Sequence, residues 1–420
     1  AAAPAPAADA GATAPRPETA ADAPRYNDRL AVDLSPVQID SLLAVWRERQ
    51  TLGAYEEFFS TYVGFDPAAA AAGDRTPDSV YVRRLRDLVS PVQLPYNYIV
   101  KGYIDRYTNV RSGTISRILG MSQYYFPLIE EELIKAGLPV ELRALPIIES
   151  ALSPTAVSPM GAAGLWQFMP ATGKVYGLEV NSLVDERCDP VLSTRAACRY
   201  LKDLYTLYKD WTLAIAAYNC GPGNVNKALA RAGDGSRTFW DIYDFLPRET
   251  RGYVPAFIGA SYAYAYHKLH GIEFTEPPLP LATDTIRVDR LLHLGQVSST
   301  IDIPMETLRQ LNPQYKLDIV PATTKTYSLV LPQRYVCRYI QQQDSIFAKD
   351  SAYLKEYMNP ANLEKKRQQR SGTIYTVKKG DTLGAIARKY RVTTAQLMRW
   401  NGIKNANKLR LGQKIRIEGR

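Results

Sequence analysis

The carboxylate of Glu149 stands in an apolar run, with Pro146-Ile147-Ile148 before it and Ala151-Leu152 shortly after it. Such neighbours place a Glu either at the rim of a helix or inside the protein. Burial disfavours the charged carboxylate and raises its pKa, so a buried Glu149 stays protonated near neutral pH and can serve as a general acid. The stretch from Leu145 to Gly173 continues with glycines, small residues and a Trp166-Gln167-Phe168-Met169 cluster, suited to lining a groove. The chemistry this predicts is acid-assisted cleavage of a polymer. Glu141, Glu179, Asp185 and Glu186 lie nearby in sequence and read as solvated or structural, with Asp185 the best candidate for a second acid.

The elements that must hold this acid read as helices. Ser35-Pro36-Val37-Gln38 carries a helix-start signal, with Ser at the cap and Pro at the first helical position. Helical periodicity predicts further helices over 79–89, 95–107, 113–119 and 122–136, the last stopped by Gly137. Pro139 opens the helix bearing Glu149, and Pro146 inside it is expected to bend it. A short helix from Ala163 to Tyr176 is expected to carry Trp166, Gln167 and Phe168. Thr194–Tyr208 and Trp211–Asn219 follow, then a helix capped by Asn224 and a last one over Tyr253–His270. The dense tyrosines Tyr96, Tyr98, Tyr103, Tyr107, Tyr124 and Tyr125 read mostly as core, with one or two facing the groove.

Length and composition bound the rest. The 420 residues suffice for two or three domains. No apolar run reaches the roughly 18 residues of a transmembrane helix. The net charge of +10 is concentrated at one end: from Thr373 to Arg420 there are 12 Lys and Arg against Asp381 and Glu418, which leaves the rest neutral overall. So basic a surface implies a polyanionic partner. No nucleic-acid-binding signature accompanies it, and on charge alone a bacterial cell wall fits equally well. His267, His270 and His293 show no metal-ligand pattern with the four cysteines, so no metal site is expected. Cys188 and Cys198 are near enough in sequence for a disulfide to close the loop between them; the alternative is two buried thiols.

After Pro277-Pro278-Leu279-Pro280 the pattern changes. A strand at Thr285–Val288, helices near 294–301 and 304–311, and a strand at Thr326–Leu331 form one unit. From Thr373 the same strand–helix–helix–strand plan recurs more clearly, ending in Leu409–Ile417.

Three segments together resemble the motifs of soluble-lytic-transglycosylase domains: Glu149-Ser150, Gly164-Leu165-Trp166-Gln167 and Ala217-Tyr218-Asn219-Cys220-Gly221-Pro222-Gly223. Tyr253 resembles that family's fourth motif. Residues 373–417 resemble a LysM module and 285–332 a degenerate one. The sequence departs from the family pattern at Trp166 and Cys220, and neither change removes a polar functional group.

The resemblance implies a mainly α protein, with a lysozyme-like all-α catalytic domain followed by small βααβ LysM-type modules. Its expected layout is an Ala/Pro-rich disordered tether (1–30), a helical region packing on the catalytic domain (31–90), and the catalytic domain (91–276). A degenerate LysM-like module (283–333), a linker (334–372) and a LysM module (373–418) complete it. It implies non-hydrolytic cleavage of the β-1,4 bond between N-acetylmuramic acid and N-acetylglucosamine, giving 1,6-anhydromuramyl products without a cofactor. A hydrolytic muramidase and a non-catalytic wall-binding scaffold are the alternatives. Glu149 is then the catalytic acid; Ser150, Gln167, Phe168, Tyr218, Asn219 and Tyr253 line the substrate groove. Gly380, Asp381, Thr382 and Ile403 of the last module meet glycan. The implied partner is the peptidoglycan glycan strand, in the cell envelope on the periplasmic side, with outer-membrane anchoring through a removed N-terminal segment.

Overall fold

The computed structural model describes residues 52–64, 76–108, 113–354 (apart from 159, 182, 234, 236–237, 323–324 and 351) and 373–417 (apart from 379, 391, 402, 404, 407–408 and 411). The tether, the helix start at Ser35 and the linker from 355 to 372 lie outside the described residues. The first helices are α1 (Leu52–Tyr62) and α2 (Asp78–Asp87). Helix α3 (Tyr98–Tyr107) begins at Asn97, whose side chain accepts a 2.9 Å bond from the Val100 amide. Helix α4 (Thr114–Ala136) is one element where two were expected, and it ends at Gly137 in the left-handed conformation. Gly120, inside α4, is a contact point: a Cβ there would come 1.9 Å from the Thr275 carbonyl oxygen.

The acid's own helix is shorter than expected. Val140–Ala144 forms a 3₁₀ turn, and α5 is only Leu145–Ser150. Pro146 therefore bends nothing; it sits in the first turn, where its missing N–H has no helical partner to lose. Left-handed Ala151 and Leu152 stop α5, and their amides bond back to Ile147 and Pro146. The expected helix over Ala163–Tyr176 is confined to α6 (Pro170–Val175). Ahead of it, Ala163 bridges both Val157 and Phe168, and Gln167 adopts φ 46°, so this stretch is a folded loop.

Helices α7 (Pro190–Tyr208), α8 (Trp211–Cys220), α9 (Pro222–Ala232) and α10 (Arg248–Tyr266) complete the domain. Asp189 and Asp210 cap α7 and α8 through their carboxylates. Asn224 lies inside α9 and does not cap it, because Gly221 occupies the cap position. Buried Tyr253, Phe257 and Tyr262 make α10 the spine of the core. It lies close against α3, where a Cβ on Gly252 would meet the Tyr103 hydroxyl at 2.3 Å. Tyr103, Tyr107 and Tyr125 are core as expected, whereas Tyr98 is exposed. His270 is structural, 3.0 Å from the Tyr262 hydroxyl.

The middle module pairs β1 (Thr283–Val288) antiparallel with a later strand, and β2 (Leu292–His293) with a second short one. Between them run α11 (Leu294–Ile301) and α12 (Met305–Leu311), then β3 (Ile319–Val320) and β4 (Tyr327–Pro332). Helices α13 (Gln333–Gln341) and α14 (Gln343–Phe347) bury Tyr339, Ile346 and Phe347 in this module's core. The first part of the expected linker is therefore module. The last module has its own core around Leu383, Leu397 and Ile415. Its elements are β5 (Thr373–Thr376), α15 (Leu383–Lys389), α16 (Thr394–Asn401) and β6 (Lys414–Ile417), with β5 antiparallel to β6.

Cys188 and Cys198 are free and buried, the second of the two alternatives left by the sequence. Cys188 precedes α7 and packs on Ala163, whereas Cys198 points into the main helical core from within α7. Eight helical steps from Pro190 carry Cys198 about 12 Å along the axis, beyond the ~7 Å Cα separation a disulfide spans. No helix among the described residues is long and apolar enough to cross a membrane. Among those residues no group of His, Cys, Asp or Glu is arranged to hold a metal ion.

Candidate active site

Glu149 occupies the last turn of α5 and is only 7% exposed. Burial lifts its carboxyl from the ordinary 4.5 to about 8. The Tyr253 hydroxyl, brought from α10, donates to Oε1 and pulls the other way. Desolvation is the larger effect, so the group is a neutral acid at pH 7. Among the described residues, burial and the Tyr253 hydroxyl are the causes of its shift.

The loop after α5 forms one wall. Ser150 does not touch Glu149; its Oγ lies 3.0 Å from the carbonyl oxygens of both Pro146 and Leu165, tying α5 to the loop. Gln167 Nε2 donates to Ala156 at 3.0 Å and Gly164 at 2.9 Å. Its Oε1 is buried with no hydrogen-bond partner. A buried acceptor left open costs about 1–3 kcal/mol, which makes it a natural place for a donor on a ligand, such as an acetamido N–H.

The opposite wall comes from the end of α8. The Tyr218 hydroxyl donates to the Trp166 carbonyl at 2.8 Å, so it braces the loop and does not bond the acid. Burial, then the nearby Glu149 charge, holds this phenol well above its usual range. Phe168 is buried among the rings of Tyr200 and Tyr218, so its expected place on the groove surface is mostly taken by packing. Asn219 Oδ1 accepts from Thr250 Oγ at 2.9 Å.

Asp185 is not a second acid. It is fully buried and ion-paired with Arg187, whose Nε and Nη2 reach its oxygens at 2.9 and 2.7 Å. Thr250 and Arg187 were missed from sequence; the Asp185-Glu186-Arg187 triplet looked like any solvated charge run. In the last module Asp381 accepts from the Lys378 amide and the Tyr375 hydroxyl, both at 2.7 Å, which lowers its pKa. Thr382 caps α15, Gly380 takes φ 93°, and Ile403 packs on the edge of the core.

Residues 126–240, which contain the Glu149, Gln167 and Tyr218-Asn219 elements, match the family described as Transglycosylase SLT domain. That segment is similar to an SLT domain. Residues 282–348 match the family described as "Lytic transglycosylase MltD, LysM-like domain", and 375–418 match the LysM domain. Membrane-bound lytic murein transglycosylase D of Escherichia coli (strain K12) is 32% identical over 296 residues, covering 70% of this chain and 63% of that protein. The chain thus spans just under two thirds of that relative's length. Soluble lytic murein transglycosylase of Escherichia coli (strain K12) is 31% identical over 123 residues, 28% of this chain and 19% of that protein. Among solved structures, a lytic transglycosylase Slt from Pseudomonas aeruginosa aligns over 42% of this chain and 28% of that one, at 24% identity and a TM-score of 0.32. Tyr253 lies beyond the matched SLT segment, yet its hydroxyl meets the acid within it.

Proposed function

We propose that this chain is a peptidoglycan lytic transglycosylase acting in cell-wall turnover, cutting the β-1,4 bond between N-acetylmuramic acid and N-acetylglucosamine. The observation that carries the reading is Glu149: a buried carboxyl at about 8, touched by the Tyr253 hydroxyl and, among the described residues, by no second carboxylate. Most glycosidases that use water or a covalent intermediate work with two carboxylates. Here the Glu149 proton goes to the leaving oxygen as the C1–O bond breaks. The substrate's acetamido group stabilises the cation at C1. Glu149, now a carboxylate, takes the proton of the muramyl C6 hydroxyl as that oxygen closes on C1. The acid is restored and no water is consumed.

In this reading Tyr253 orients Glu149, and Gln167 Oε1 accepts from the sugar. Ser150, Phe168 and Tyr218 shape the wall, and Asn219 offers its amide nitrogen while Thr250 holds its oxygen. The last module holds the wall through the turn of Gly380, Asp381 and Thr382 with Ile403 opposite, which places the protein in the cell envelope. The basic residues there add affinity for acidic wall that weakens with salt. Mass spectrometry of digested sacculi tests the reading. Anhydromuropeptides support it; reducing muropeptides would instead mark a muramidase, and no products a scaffold.

A further inference from the structure

The segment 179–187 belongs to two structures at once. Leu183 and Val184 lie between SLT-domain residues in sequence, yet their side chains are buried in the core of the middle module. Their backbone is joined to it as well. Val184 bridges Tyr315 antiparallel, the Lys316 amide donates to Leu183 at 2.7 Å, and the Asp185 amide donates to Gln314 at 2.9 Å. Around this seam Lys316 Nζ donates to the Asn181 carbonyl and Lys325 Nζ pairs with Glu179, 3.5 Å from Glu186. The Tyr327 hydroxyl lies 3.2 and 3.1 Å from the two Glu179 oxygens.

The next residues lie under the groove. Arg187, held by Asp185, points Nη1 at the carbonyls of Gly161 (2.8 Å) and Phe168 (2.9 Å), the two sides of the loop that carries Gln167. Gly164 rests on the Arg187 backbone so closely that a Cβ would come 1.8 Å from its carbonyl oxygen. A continuous set of buried contacts therefore runs from the middle module to the groove wall.

We propose that the middle module is a brace for the catalytic groove, in which residues 314–327 dock on 179–187 and thereby fix Asp185 and Arg187 as positioning residues for the Gln167 loop. This rests on the reading of that loop as the substrate wall. The dock also closes the module's own ligand face. Asn312 and Asn401 are equivalent in the two modules, each donating to the carbonyl four residues earlier, Leu308 at 2.9 Å and Leu397 at 2.8 Å. Two residues on, Ile403 is the proposed glycan wall of the last module, whereas its counterpart Gln314 is buried with its carbonyl in the dock. Glycan retention outside the groove falls to the last module alone.

Amide hydrogen exchange on the full chain tests this, with and without an N-acetylglucosamine tetramer, for the parent, Leu183→Ala and the milder surface variant Lys325→Glu. The amides of Gly161, Ala163, Gly164 and Phe168 should exchange roughly tenfold faster in both variants, with α15 and α16 unchanged. KM for a soluble glycan should rise several-fold while the alkaline limb of the rate profile stays in place. Added tetramer should protect residues of the last module and none of 312–322. Unchanged groove amides in both variants would overturn the brace, and protection of 312–322 would overturn the closed ligand face. These readouts stand apart from product chemistry, so absence of anhydromuropeptides would sink the proposed activity and leave the brace to be decided by exchange.

Discussion

Replacing Glu149 by Gln should abolish turnover and stabilise the fold, with a gain that depends on pH. The carboxyl sits at about 8 in the folded protein against an ordinary 4.5. Below pH 4.5 both states hold the proton and there is no penalty. Between 4.5 and about 8 the folded state holds a proton the unfolded chain has released, so stability falls as pH rises. Above about 8 the folded group ionises too and the loss levels off. At ~1.4 kcal/mol per unit, the cost is ~3 kcal/mol at pH 7 and approaches ~5 kcal/mol above the folded value. Gln has a similar shape, carries no such equilibrium and still accepts from Tyr253. With ~2 °C per kcal/mol for a domain of this size, Tm of the variant should match the parent near pH 4.5, exceed it by ~6 °C at pH 7 and by ~10 °C at pH 8.5. Calorimetry at those three pH values, beside muropeptide analysis, checks both halves. A Tm difference independent of pH, or retained turnover, would refute the reasoning.

Tyr253→Phe removes the hydroxyl that lowers the Glu149 pKa, so the alkaline limb of kcat/KM against pH should move above about 8. Gly164→Ala places a Cβ 1.8 Å from the Arg187 carbonyl at φ 85°, and should destabilise by ~3 kcal/mol or more in denaturant titration. Asp381→Ala unties the Lys378 amide and the Tyr375 hydroxyl. It should weaken co-sedimentation with sacculi and leave turnover of a short soluble glycan unchanged.

Helical periodicity made the helices legible but not all their starts: α8 begins at Trp211 as expected, whereas α3 and α7 begin at Tyr98 and Pro190, where Asn97 and Asp189 cap them. Local rules misread proline: Pro146 starts a helix that sequence alone made longer. Gly120 is where α4 meets Thr275, far along the chain, which occupies the space a side chain would need. The acid was legible from its apolar neighbours, since burial is what shifts it. Its surroundings were less so. Tyr218 and Ser150 were expected to act on Glu149 or on sugar, but backbone carbonyls of the folded loop took their hydroxyls. Arg187 was invisible because its partners, Gly161 and Phe168, are brought to it only by the loop's fold.

The burial of Leu183 and Val184 in the middle module has a consequence for how the chain folds as it is made. Helices α3 and α5 can close on α10 once Tyr266 has emerged, yet the seam at 179–187, made before it, waits a further 160 residues for Phe347 of α14. At typical synthesis rates of ~5–20 residues per second that interval is roughly 10–30 s. During it the two apolar side chains have no partner, and the loop over Arg187 has no fixed floor. The groove is thus the last part of the helical domain to mature, and its wall takes its final form only once 347 of the 420 residues have been synthesised.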